Sequence, residues 1–136
     1  MSFNLSTRSI RRLEGVHPKL VAVVWKAIEV TTVDFSVVEG VRTIAAQKRY
    51  FQLGKSKTMR SRHIPSSNAC DMACAVDLAP WINGTIEWEN PVGWTAVADA
   101  MKASAYQLGI PLEWGGDCWP TFVDQPHFQL PWGDYP

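Results

Sequence analysis

Two distant stretches of the chain carry the side chains most suited to chemistry. The first runs Ser61-Arg62-His63-Ile64-Pro65 and continues to Ala75-Val76-Asp77-Leu78-Ala79-Pro80; the second is Asp124-Gln125-Pro126-His127-Phe128-Gln129. Together they offer two imidazoles and several carboxylates beside short apolar, strand-like runs. Mixed nitrogen and oxygen donors of this kind suit a catalytic zinc that keeps one coordination position open. Taken singly, a histidine or aspartate in a small domain is more often a hydrogen-bonded structural residue than a metal ligand, and the constellation is what points to a metal. The remaining histidine, His17, precedes Pro18 and belongs at the mouth of a helix.

Hydrolysis at such a metal also needs a base for the attacking water and a cation for the oxyanion. Asp124 stands three residues before His127. In an extended strand it would face away, but a turn at Gln125-Pro126 brings it back; Glu113 is the alternative base. Arg42 emerges at the end of a strand, where it reads either as an oxyanion partner or as a surface or carboxylate-paired arginine.

The elements that must hold these groups follow from periodicity. Ser6 or Thr7 caps a short helix through Ile10 and Leu13, ending near Gly15. Pro18 opens a second helix, whose Leu20, Val21, Val24, Ala27 and Ile28 recur at three- and four-residue steps. Residues 34–41 alternate as a strand, with Gly40 at a bend or bulge. Thr43 caps a helix to Leu53, stopped by Gly54. The basic run Lys55–Arg62 reads as a solvated loop. Cys74–Ala79 is a strand that puts Asp77 on the face opposite Val76 and Leu78, with Pro80 as its end. A turn at Asn83-Gly84 leads to a helix from Val92 to Leu108, with Trp94, Val97, Ala98, Met101 and Ala105 on one face. Leu112-Glu113-Trp114 and His127–Leu130 are short strands. Helices mixed with a small antiparallel sheet make an α+β fold.

With 136 residues the chain fits one domain, residues 1–136, and Lys+Arg and Asp+Glu at 13 each give zero formal charge. No block of like charge suits nucleic acid. The N-terminus lacks the apolar centre of a secretory signal, and no apolar run is long enough to insert in a membrane. The expectation is a soluble monomer. Three cysteines, Cys70, Cys74 and Cys118, are too few for a disulfide scaffold. The first two read as thiols that shape their loop, or as a disulfide in an oxidising compartment. The seven tryptophans belong mostly to the core or its edge; Trp114 and Trp119 flank Gly115-Gly116-Asp117 and have a second reading as walls of a substrate groove.

The two stretches, taken with Glu39-Gly40-Val41-Arg42-Thr43, Gln47 and Trp114-Gly115-Gly116-Asp117, resemble the zinc D,D/L,D-peptidases. That family includes D-alanyl-D-alanine carboxypeptidases and dipeptidases, and the resemblance is greatest to the L-alanyl-D-glutamate endopeptidase endolysins of tailed phages. It spans Val38 to Gln129. It implies a Hedgehog/DD-peptidase-like fold in which His63, Asp77 and His127 bind Zn2+, Asp124 is the general base and Arg42 steadies the oxyanion. Ser61, Trp114 and Asp117 are implied to contact the substrate, a peptidoglycan stem peptide. Thirteen residues separate His63 from Asp77, more than is usual in the family, and Asp71 lies among them.

Three functions compete: an endolysin that cuts between L-alanine and D-glutamate, a carboxypeptidase trimming D-alanine, and a non-catalytic wall-binding module stabilised by zinc. An endolysin is expected to wait in the host cytoplasm until a separate protein lets it reach the wall. Between the two aspartates, Asp77 stands in a strand that can hold it rigid, whereas Asp71 lies in a loop. Asp77→Ala is therefore expected to lose bound zinc and Asp71→Ala to keep it, as measured by elemental analysis; the opposite pair of metal contents would reverse the assignment.

Overall fold

A computed structural model of the chain describes residues 2–117 and 123–136. Helix α1 (Thr7–Arg12) begins at Ser6, whose hydroxyl accepts from the Ser9 amide. Helix α2 (Pro18–Val30) begins at His17, whose Nδ1 accepts from the Lys19 amide, with Pro18 in the first turn where no amide donor is needed. These caps satisfy amides that a helix start leaves open.

Strand β1 (Phe35–Glu39) leads to α3 (Ile44–Gln52), capped by Thr43. After a single 3-10 turn at Pro65–Ser67 come β2 (Ala75–Ile82), β3 (Thr85–Ile86) and α4 (Pro91–Leu108). Strands β4 (Glu113–Trp114) and β5 (His127–Gln129) complete the set. The sheet order is β1-β2-β5-β4, with β3 paired to the far end of β2, and every pairing is antiparallel. The α+β reading is thus what the chain adopts. Helix α2 packs on α4, and their apolar faces join Val37, Val76, Leu78, Phe128 and Leu130 in one core. No helix among the described residues is long and apolar enough to cross a membrane.

Two local readings are corrected. Pro80 does not end its strand, because Trp81 donates to Asp34 O and Pro80 therefore turns its donor-less nitrogen away from β1, beyond His127, the first residue of β5. The strand runs on to Ile82 and turns at Asn83 and Gly84, with φ of 54° and 78°. Positive φ at both positions makes the tight hairpin that creates β3. The basic run is not uniformly solvated either: Ser61 and Arg62 are buried.

The β1 register shifts between Val37 and Glu39, and Gly40 follows directly after the strand's last residue rather than occupying the irregularity itself. A Cβ there would lie 2.0 Å from the carbonyl oxygen of Arg12, so the close approach of α1 to this strand admits only glycine. Gly40→Ala is expected to destabilise the fold by about 2–3 kcal/mol or more, measured by urea unfolding; an unchanged midpoint would show that α1 yields freely.

Candidate metal centre and active site

Strand register delivers two of the candidate ligands to the same point. Asp77 on β2 lies directly across from His127 on β5, so their side chains share a face of the sheet. His63 arrives from the preceding loop. That loop is fixed by backbone bonds from Arg42 N to His63 O (2.9 Å) and from Cys74 N to Arg62 O (2.8 Å). His63 Nε2, His127 Nδ1 and Asp77 Oδ1 then form a near-regular triangle, with edges of 3.1, 3.3 and 3.3 Å.

The outer nitrogens decide what this triangle is. His63 Nδ1 lies 2.8 Å from Gly40 O, which can only accept, so Nδ1 carries the proton and a neutral His63 turns a lone pair inward at Nε2. His127 Nε2 lies 2.8 Å from Gln129 Oε1, while Gln129 Nε2 donates to Glu113 Oε1 at 3.0 Å. The carboxylate fixes the amide's orientation, and the amide fixes Nε2 of His127 as the donor. A neutral His127 therefore also turns a lone pair inward, at Nδ1.

Three acceptors converge, and only a cation satisfies all of them at once. Two imidazole nitrogens and one carboxylate oxygen are a ligand set suited to zinc, and the edges match the roughly 3.3 Å expected between tetrahedral ligands bound at 2.0–2.1 Å. Among the described residues, this is the group of histidine, cysteine and acidic side chains placed to hold a metal ion. Both histidines are almost fully buried, at 1% and 7% exposure, so the cluster is rigid on the protein side.

A profile of the phage L-alanyl-D-glutamate peptidase family matches residues 1–130. The L-alanyl-D-glutamate peptidase of Escherichia phage T5 is 33% identical over 138 residues, covering 99% of this chain and 94% of that protein. The solved structure of the Serratia marcescens L-Ala D-Glu endopeptidase ChiX superposes with a TM-score of 0.84 at 38% identity, covering 96% of this chain and 92% of that one. The chain belongs to the phage L-alanyl-D-glutamate peptidase family.

In this member of the family the metal centre opens into a cavity of about 780 Å³, lined among others by Arg42, Ser61, Glu113 and Asp124. Asp124 reaches it through a turn at Gln125-Pro126, closed by the bond from His127 N to Asp124 O at 3.2 Å. Burial raises the Asp124 carboxyl above its ordinary pKa, partly opposed by the charge of His127. Glu113, the alternative base, is engaged by Gln129.

Arg42 is held on several sides. Its Nε donates to Glu39 Oε1 at 2.8 Å and Nη2 pairs with the same oxygen. Nη1 donates to Gln47 Oε1 at 2.7 Å, and the guanidinium lies 4.8 Å from the Tyr50 ring centroid. Nη2 also faces Asp77 Oδ2 at 3.7 Å. Arg42 is thus both the carboxylate-paired arginine and a cation at the site. Ser61 lines the cavity and accepts from the His63 amide at 3.2 Å.

Trp114 and Asp117 are not brought to the cavity. Trp114 Nε1 donates to Gln125 O at 2.7 Å and its ring stacks on Phe128, so it braces the turn that carries Asp124. Gly116 is required beside it, because a Cβ there would lie 2.3 Å from the indole. Asp117 is exposed and pairs with Lys102, which also lies over the Trp114 ring. Trp119 and Cys118 fall outside the described residues. The tryptophan that does line the cavity is Trp132, stacked between Arg60 and Arg62 at 4.1 and 4.0 Å; no local pattern marks it, because its partners lie about seventy residues earlier.

The stretch between His63 and Asp77 is closed by buried Asn68, which donates to Arg62 O, Ile64 O and Met72 O at 3.1, 3.3 and 2.8 Å. Asp71 is exposed on that loop with φ of 56°, and Asp77 is the aspartate of the cluster. Cys70 and Cys74 are free thiols with sulfurs 3.8 Å apart; burial pushes the Cys74 thiol up to about 11.

Electrostatics in the metal-free site follow from the geometry. Burial would raise the Asp77 carboxyl, but facing His63 and His127 holds it well below the usual range. Burial would lower His127, yet its bond to Asp77 raises it above the ordinary histidine value. Metal must displace the proton from His127, and that proton is bound below the raised pKa and absent above it. Apparent zinc affinity is therefore expected to hold above that value and to weaken about tenfold per pH unit below it for each displaced proton. Chelator competition between pH 8 and 5.5 measures this; a flat profile would mean that His127 is neutral throughout.

Proposed function

We propose that the chain is a zinc endopeptidase that hydrolyses the L-alanyl-D-glutamate bond of peptidoglycan stem peptides, with Asp124 as general base and Arg42 facing the oxyanion. The observation that carries this reading is the convergence of three acceptors in the lining of a cavity that also holds the half-buried carboxylate of Asp124 and a fixed guanidinium. A structural zinc site would close with four protein ligands. Here the described cluster has three. The relatives, named L-alanyl-D-glutamate peptidase and L-Ala D-Glu endopeptidase, favour that bond over a terminal D-alanine.

His63, Asp77 and His127 would hold zinc, which would supply Lewis acidity toward the scissile carbonyl and make water more acidic. The protein's own groups do the rest. Asp124 takes the proton of the attacking water as its oxygen bonds to the alanyl carbonyl carbon. The same proton then passes to the glutamyl nitrogen as the C–N bond breaks, and the proton left on the new alanyl carboxyl goes to the amine, giving an alanyl carboxylate and a glutamyl ammonium. A base so placed contributes about 10²–10⁴ in rate. Arg42 is locked by Glu39 and Gln47 before reaction begins, so little reorganisation is needed to meet the developing negative charge. The Gln129–Glu113 pair holds His127 in the tautomer that can ligate.

Zinc-loaded protein acting on purified peptidoglycan is expected to release fragments with a new amino group on D-glutamate, identified by mass spectrometry. Release of D-alanine alone would overturn the assignment in favour of a carboxypeptidase. Asp124→Asn should keep its zinc and its fold yet lose about 10²-fold or more of kcat. Nearly full turnover would transfer the role to Glu113, and loss of zinc would make Asp124 a ligand.

A further inference from the structure

The loop from Lys55 to Arg60 forms part of the cavity lining, together with Tyr50, Gly54 and Trp132. It is a built wall. Gln47, fully buried, donates from Nε2 to Ser56 Oγ at 2.8 Å and to Thr58 O at 2.6 Å, while its Oε1 accepts from Arg42. Lys55 and Ser56 amides both return to Tyr50 O, at 2.8 and 3.2 Å. One buried amide thus ties the loop and the active-site arginine into a single unit.

The charges on this wall are unspent. Lys55, Lys57 and Arg60 have no carboxylate within ion-pair distance among the described residues. Three of the cavity's four carboxylates are engaged elsewhere: Glu39 holds Arg42, Asp77 belongs to the metal cluster and Glu113 takes Gln129; the fourth, Asp124, makes no ion pair with the loop's cations among the described residues. Arg60 is aligned by its stack on Trp132. A cavity with three unpaired cations on a braced loop is complementary to an anion carried by its substrate.

The bond assigned above supplies one. A glutamyl residue has two carboxyl groups and a linear peptide uses one, so a free carboxylate stands within a few bonds of the leaving nitrogen. We propose that Lys55, Lys57 and Arg60 form a subsite for this free carboxylate, making the enzyme selective for the acid over its carboxamide. The proposal rests on the L-alanyl-D-glutamate reading and adds to it the residues that distinguish a charged from an amidated stem peptide.

The test compares two synthetic stem peptides, one with the free glutamyl carboxylate and one with it converted to a carboxamide, using zinc-loaded wild type and Lys55→Gln/Lys57→Gln. The wild type is expected to show a KM about tenfold or more lower for the acid, the usual scale for a charge-assisted hydrogen bond. That advantage should shrink as salt is raised. The double variant should retain zinc and kcat, lose most of the advantage on the acid, and leave the KM of the carboxamide unchanged. Equal KM for both peptides with the wild type, or equal losses on both with the variant, would overturn the subsite alone. Cleavage of neither peptide by the wild type would overturn the assigned bond and the subsite with it.

Discussion

Three lone pairs aimed at one point are an unstable arrangement without a cation, and the rest of this structure exists to hold them there. Two imidazole nitrogens and a carboxylate oxygen within 3.3 Å of one another repel unless a proton or a metal lies between them. In the metal-free protein the raised affinity of His127 for a proton relieves the conflict. The same preorganisation favours a divalent ion, which meets all three donors with no rearrangement of the protein. Metal site and proton site are therefore one electrostatic feature under two occupancies.

Sheet register is what makes the convergence reproducible. Asp77 lies across from His127 on one side and from Glu39 on the other, so the carboxylate at the metal and the carboxylate that holds Arg42 belong to one row across β1, β2 and β5. A slip of one residue in either pairing would send these side chains to the opposite face, into the core made by Val76, Leu78 and Phe128. Burial of that apolar row is thus a constraint on the catalytic row. The irregularity near Gly40 serves the same end, because it presents the carbonyl that fixes the His63 tautomer.

Much of this was legible in the chain because the signals are local. Ser6 and Thr43 cap the helices they were expected to cap, and the alternation about Asp77 puts it on the polar face of β2. The turn at Gln125-Pro126 brings Asp124 back to the cavity, as its proline suggested. What was not legible depends on distant partners. Pro80 continues a strand only because neighbouring strands end where its missing donor points. Trp114 looked like a groove wall, but a carbonyl at Gln125 and the ring of Phe128 make it a brace. The basic run from Lys55 is solvated as far as Arg60, but composition could not reveal that Ser61 and Arg62 are buried or that a buried glutamine anchors the loop beside the site.

That run also contains its own opposite. Arg62 has the same charge as Lys57 and Arg60, yet it is 3% exposed and pairs with no carboxylate among the described residues. Neutral acceptors take its place: Asn68 Oδ1 at 2.6 Å, Leu130 O at 2.9 Å and Tyr135 O at 2.6 Å, with the Trp132 ring 4.0 Å from its guanidinium carbon. A cation buried this way needs every acceptor in position, because losing one leaves a desolvated donor unpaired. Leu130 follows β5, which carries His127, and His63 is the residue after Arg62. The guanidinium therefore links the segments that bear His63 and His127, the two histidines placed to hold a metal ion, and their separation is set by a charge that cannot be moved cheaply. Carbonyl partners also differ from a carboxylate in adding no net negative charge near the cluster of His63, Asp77 and His127.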